Sequence, residues 1–261
     1  MSSVPSPQTV AFLGASGGCG LAALQHTLAA GHTCVALCRT PSKLAAAFPD
    51  PQALPRGLNL VRGDAHDAAS VAECLRVPGS AAPGILVDIV VFTIGSPFNL
   101  AKMTTLDPDV CKKGIAALLE ALASLRRAGA RPAGGAGTGP RLVVISTCGI
   151  SAAGRDFPLA ATPMYSFMLK VPHADKRVME ERLLAGGEAY TLVRPSLLCD
   201  GARPDRKIRV GVVDARSGEG PTAKDGVGYS ISREDTGRWM AENLILKPAT
   251  EYIGKAVLIT W

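Results

Sequence analysis

Apolar positions along the chain fall in short blocks of strand length, and most blocks hand over to a segment with helical spacing. Residues 9–13 are the first block. They end in a run of glycines, after which Leu21, Leu24 and Leu28 share a helical face and Gly31 marks the stop. Residues 33–38 and 58–61 repeat the strand signal, and 67–76 read as a short helix. The run 85–94 is apolar almost throughout, which predicts one central parallel strand buried on both faces. Asp107 and Pro108 predict a capped helix start with proline in its first turn, and that helix extends to about Arg127. Residues 129–140, dense in Gly, Ala and Pro, read as a flexible surface loop without chemistry.

The second half continues the alternation. A strand at 141–145 ends in Ser146-Thr147-Cys148-Gly149. Pro172 predicts a helix start, with Gly186-Gly187 as its stop, and 190–193 is the next strand. Residues 207–213 alternate like an exposed strand or hairpin arm. Ser232 opens a capping box ahead of a helix to Lys247, and 256–260 form the last strand. This order predicts an α/β fold: one domain over 1–261 with a doubly wound, mostly parallel sheet. A small C-terminal substrate-side extension is expected, with substrate-side segments at about 150–172 and 196–232.

Composition narrows the function classes. At 261 residues and 47% hydrophobic content the chain can build a core without disulfide or metal staples. Residues 1–8 are short, polar and proline-bearing, unlike a signal peptide, and no apolar run reaches the roughly 18 residues of a membrane span. The seven cysteines form no C-x-x-C pair and have no histidines at zinc spacing, so they read as reduced, buried thiols of a cytoplasmic protein, with no metal site. Cys148, beside the expected site, has reactivity as its alternative reading. The net charge of +6 is dispersed, without a basic helix or aromatic-basic platform, so neither nucleic acid nor membrane is an expected partner.

The chemistry concentrates at the first turn. Strand, glycine turn and helix place unpaired N–H groups and a positive helix end at one point, which suits a phosphate. Gly14, Gly17 and Gly20 are spaced G-x-x-G-x-x-G: the first for the tight turn, the second for close approach of a pyrophosphate, the third for packing helix on strand. The same stretch also spells the G-x-S-x-G elbow of α/β-hydrolases around Ser16, but that elbow needs several strands before it. Past the second strand there is no acid for a ribose 2′-hydroxyl. Arg39 and Lys43 stand there instead, a pair suited to the 2′-phosphate of NADP, with ordinary surface cations as the alternative. Asp64 is expected at a strand end near the adenine, and Gly95 where bulk would collide with a cofactor. Ser146 and Thr147 end a central strand and point toward the cleft, unless they serve nearby backbone. Residues 150–171, with Phe157, Met164, Tyr165, Phe167 and Met168, read as a lid or as core packing. His173, Lys176 and Glu180 share one helix side, where a Lys176–Glu180 surface pair is the plain alternative to a catalytic role.

Taken in order, the glycine turn, Arg39-x-Pro41-x-Lys43, Gly63-Asp64, Ser146-Thr147, Lys176 with Glu180, Arg194-Pro195 and residues 231–235 resemble an atypical short-chain dehydrogenase/reductase. The resemblance is to the NAD(P)-binding, NmrA-like group, covers nearly the whole chain, and implies a Rossmann fold binding NADP(H). It implies cofactor contacts at Gly14, Ser16, Gly17, Gly18, Cys19, Gly20, Arg39, Lys43, Asp64, Ala65, Ile94, Gly95, Lys176, Pro195 and Ser196. Reductases of this kind use Ser, Tyr and Lys. Thr147 matches the Ser, with Ser146 adjacent, and Lys176 matches the Lys, but the Tyr position four residues earlier is Pro172. Proline has no proton to give. His173, whose ordinary pKa is about 6.5, and Tyr165 are the available replacements. The expected function is therefore NADPH-dependent reduction of a hydrophobic small molecule. The alternatives are a non-catalytic NADP sensor with a protein partner, and a cofactor-binding scaffold for a non-redox cyclisation or isomerisation.

Overall fold

The computed structural model describes residues 7–81, 84–99, 104–133 and 139–261. In chain order the first elements are β1 (Thr9–Leu13), α1 (Gly18–Ala29), β2 (Thr33–Cys38), α2 (Pro41–Ala45), β3 (Leu58–Arg62), α3 (Ala68–Cys74), β4 (Ile85–Leu86) and β5 (Ile89–Phe92). Then come β6 (Phe98–Asn99), β7 (Thr104–Thr105), α4 (Val110–Arg127), β8 (Arg131–Pro132), β9 (Arg141–Ile145), α5 (Lys170–Ala185), β10 (Tyr190–Pro195) and β11 (Leu197–Cys199). The chain closes with β12 (Arg209–Asp214), β13 (Ser230–Ser232), α6 (Arg233–Met240) and β14 (Lys255–Thr260).

Among the described residues the main sheet has eight strands in the order β12-β14-β10-β9-β5-β1-β2-β3. All its pairings are parallel except β12 on β14. The strands are apolar on both faces because helices cover both. Alternation within each strand divides the core in two. Ala11, Leu13, Val35, Leu37, Val90 and Phe92 face α3, α4 and α5, while Val10, Phe12, Cys34, Ala36, Ile89 and Val91 face α1, α2 and α6. A one-residue slip in any of these strands would exchange its two faces, so the register is strongly specified. After β1 the chain winds to β2 and β3 on one side, then crosses to β5 on the other. That reversal between β1 and β5 opens a crevice at the carboxyl ends of the strands.

Several boundaries differ from the sequence expectation. The run 85–94 is not one strand. Asp88 interrupts it by accepting the Thr9 N–H at 2.7 Å, so Ile85–Leu86 pairs instead with β8. β8 in turn gives order to part of the stretch read as a loop, whose residues 134–138 lie outside the described residues. Helix α4 begins at Val110, not at Asp107-Pro108, and its first free N–H groups are capped from another helix. The Asp175 carboxylate accepts from Cys111 N at 2.8 Å and Lys112 N at 2.9 Å. Pro172 is the third residue of α5, not its start, because a π-helical turn (Met164–Met168) and then Lys170 and Val171 precede it. Proline is tolerated there because first-turn N–H groups have no intrahelical partner. The last helix leaves α geometry after Met240 for a second π-helical turn (Ala241–Ile245). The expected exposed arm is β12, the antiparallel edge of the main sheet.

Candidate functional site

Each glycine of the turn between β1 and α1 meets a different demand. Gly14 has φ +101°, and a Cβ there would lie 2.8 Å from the Thr93 carbonyl carbon. Gly20 abuts Thr93 Oγ1 and the Gly14 carbonyl, so it seats α1 on the strand ends. Thr93 ties this junction by donating to the Gly14 carbonyl at 3.1 Å. Gly17 is different: among the described residues a Cβ there would meet nothing within 4 Å. It is the N-cap of α1, whose first turn has no acidic residue and no side-chain cap. The leading N–H groups of α1 are therefore available to an anion beside an open backbone.

A cavity of about 1070 Å³ runs from this turn along the carboxyl ends of the strands. Apart from Gly20, every residue that the resemblance assigned to cofactor contact or to the Ser, Tyr and Lys roles, with the replacements His173 and Tyr165, lines it. At one end stand Arg39 and Lys43 beside Cys38, Asp64 and Ala65. Both cations are exposed and make no ion pair among the described residues. Lys43 is carried on α2, a helix the hydrophobic pattern did not reveal. Next come Ser16, Gly18, Cys19, Ile94 and Gly95. Burial pushes the Cys19 thiol up to about 12, with Arg233 pulling weakly the other way.

The far end holds the reactive candidates. Lys176 Nζ donates to the Ile145 carbonyl at 2.7 Å and the Ile94 carbonyl at 3.3 Å, which bridges β9 and the end of β5. The two hydroxyls beside it are not equivalent. Thr147 Oγ1 donates to the Cys148 carbonyl at 3.0 Å, whereas the buried Ser146 Oγ has no hydrogen-bond partner among the described residues. His173 is also buried, and its Nε2 has no partner among the described residues. Burial and the neighbouring Arg177 hold its pKa down at about 4, so the ring is neutral at pH 7. Tyr165 stacks on Phe157 with centroids 4.1 Å apart and lies 5.6 Å from the His173 ring. Its phenol is raised by burial and stays protonated. Phe167 is exposed, Met168 and Leu169 line the cavity, and the Met164 side chain lies outside the described residues. Pro195 and Ser196 line the same end, where Ser196 Oγ donates to Thr260 Oγ1 at 2.9 Å.

Glu180 does not pair with Lys176. It lies buried under the site and takes Arg194 in a bidentate pair, at 3.0 Å to Nε and 2.6 Å to Nη2. Cys148 is buried against the Arg194 carbonyl, and its pKa is raised well above the ordinary value. No thiolate forms there at neutral pH, so the reactive reading of Cys148 fails. The sequence also missed Thr93, His66 and Arg233 as lining residues. Arg233 was legible only within residues 231–235, as a helix start and an element of the resemblance, whereas its reach to the turn depends on how α6 packs against α1.

Comparison with known proteins agrees with this geometry. A family model described as NAD(P)H-binding matches residues 14–245. The reductase pytE of Aspergillus terreus is 39% identical, over 98% of this chain and 99% of that protein. The oxidase pynE of Aspergillus niger is 33% identical over the same shares. Among solved structures, a short-chain dehydrogenase/reductase from Veillonella parvula in complex with NADP superposes with a TM-score of 0.67 at 12% identity, covering 97% of this chain and 94% of that one. With a glycine turn open to an anion, a crevice at the sheet reversal and these matches along its length, the chain belongs to the NAD(P)H-binding family of Rossmann-fold oxidoreductases.

Proposed function

We propose that the protein is an NADPH-dependent reductase of a hydrophobic small molecule. The observation that carries this reading is the division of one cavity. Anion-binding groups line one end, and an unspent hydroxyl and an anchored lysine stand at the other, beside apolar walls. The residues present fit the cofactor. The α1 N-terminus at Gly17 and Gly18 would hold the pyrophosphate, Arg39 and Lys43 the 2′-phosphate, Asp64 and Ala65 the adenine end, and Lys176 the nicotinamide ribose. When bound, NADPH supplies a hydride.

The remaining tasks belong to the chain. Ser146, with its hydroxyl free, polarises the substrate carbonyl better than Thr147, whose hydroxyl is engaged. Pro172 leaves the usual phenol position empty of a proton. Tyr165 carries one at neutral pH and lines the cavity, so we assign donation to Tyr165. His173, neutral above about pH 4, holds no second proton to give and acts as a hydrogen-bonding wall. Tyr165, Met168, Leu169 and Leu197 make this end apolar, which suits a hydrophobic substrate.

The test is a fluorescence titration of cofactor-stripped protein with NADPH and NADH, followed by NADPH oxidation against carbonyl, imine and enone panels. Tight NADPH binding with turnover is the expected result. Absence of binding overturns the reading. A second reading, a non-catalytic NADP sensor, is favoured by Pro172 alone. It requires tight NADPH binding without turnover, together with a protein partner whose affinity differs between NADP⁺ and NADPH.

A further inference from the structure

Arg233, the first residue of α6, lies more than two hundred residues after the glycine turn, yet the fold lays it on that turn. A Cβ on Gly18 would stand 3.3 Å from Arg233 Cδ and 4.0 Å from its Nε. The approach is enforced by packing: Gly237, one turn further along α6, abuts the Cys19 carbonyl and Ala22, so the two helices meet without a side chain between them. The Ser232 N-cap, with Oγ accepting from Asp235 N at 2.9 Å, fixes where α6 begins and hence where Arg233 emerges.

The guanidinium is only partly committed. Its Nη1 donates to Asp200 Oδ1 at 2.7 Å, while Nη2 and Nε have no acceptor among the described residues. Asp200 is 83% exposed, so this is a solvated surface pair worth little. Arg233 lines the cavity, and its side chain lies against Gly18. We propose that Arg233 is a pyrophosphate-binding residue, a cation beside the glycine turn that adds to the α1 N–H groups. It keeps Asp200 on one nitrogen and offers its free fork to a phosphate oxygen.

This rests on the proposed cofactor site but separates from it experimentally. The pyrophosphate is common to NADPH and NADH, whereas the 2′-phosphate is not. Arg233→Met should therefore weaken NADPH and NADH by the same factor, about tenfold, and leave competition by 2′-AMP, which lacks a pyrophosphate, unchanged. Arg233→Lys should recover part of the loss, and both variants should match the parent in thermal midpoint. If the parent binds NADPH and both variants bind it equally well, the inference is overturned and the cofactor site stands. Loss confined to NADPH, or extending to 2′-AMP, also overturns it, because Arg233 would then serve the 2′-phosphate. A parent that binds neither dinucleotide overturns the cofactor site itself.

Discussion

Ser146 and Thr147 are adjacent residues with the same functional group, and the fold gives them different work. Thr147 satisfies itself on the Cys148 carbonyl, and Ser146 is left buried and unpaired on the cavity wall. An unpaired buried hydroxyl carries a desolvation cost that a substrate oxygen can relieve. We expect Ser146→Ala to lower kcat by roughly a hundredfold with NADPH affinity intact, and Thr147→Val to lower it by less than about tenfold. Steady-state kinetics on both variants checks the order, and a larger effect at Thr147 refutes it. At the other end, Arg39→Ala should weaken NADPH by at least about tenfold more than NADH, read from paired titrations. Equal losses would place the 2′-phosphate elsewhere.

At the scale of elements, Gly17 and Gly20 belong to one motif but answer to different physics. Gly20 has no room for a methyl group, because Thr93 and the Gly14 carbonyl already occupy that space. Backbone cannot step aside as a flexible side chain can, so Gly20→Ala should cost about 1–3 kcal/mol by overpacking, seen as a lower urea midpoint. Gly17 has extended backbone and open space around it. Gly17→Ala should leave stability within about 0.5 kcal/mol while abolishing dinucleotide binding, because its methyl group fills the anion's approach. Reversed outcomes would mean that the turn serves packing alone. Helix termini tell a related story: Asp175 on α5 caps α4, so the two helices are joined by the hydrogen bonds that end one of them.

For the whole molecule, the buried groups under the site make stability depend on pH. The His173 pKa falls from 6.5 unfolded to about 4 folded. The unfolded chain therefore binds more protons between those values. The contribution of neutral His173 is complete above pH 6.5 and is lost as the pH falls toward 4. It amounts to at most a few kcal/mol. Asp156, raised by burial with one carboxylate oxygen unpaired, works in the opposite sense: its share is present at low pH and fades as the pH rises. Urea denaturation from pH 7 to pH 4.5, comparing the parent with His173→Gln, isolates the histidine term. A parallel decline in both proteins would refute it.

Most strands and helices were legible from local pattern alone, because burial on two sheet faces demands apolar blocks and helix ends demand particular caps. The phosphate turn was legible for the same reason: Gly14, Gly17 and Gly20 act within one strand–turn–helix unit. Where a polar residue entered a block, as Asp88 does in 85–94, the pattern misjudged the element, since the Asp88 carboxylate serves the distant Thr9 N–H. The partners of the site's polar groups were not legible. Glu180 turns from Lys176 to a buried Arg194, Ser146 is free where Thr147 is engaged, and Arg233 reaches a turn from the far end of the chain. Such choices depend on which groups lose water together, and only packing between distant elements decides that. The sequence by itself determined the layers, the crevice and its glycine floor. The tertiary structure decided which side chains remain free to do chemistry there.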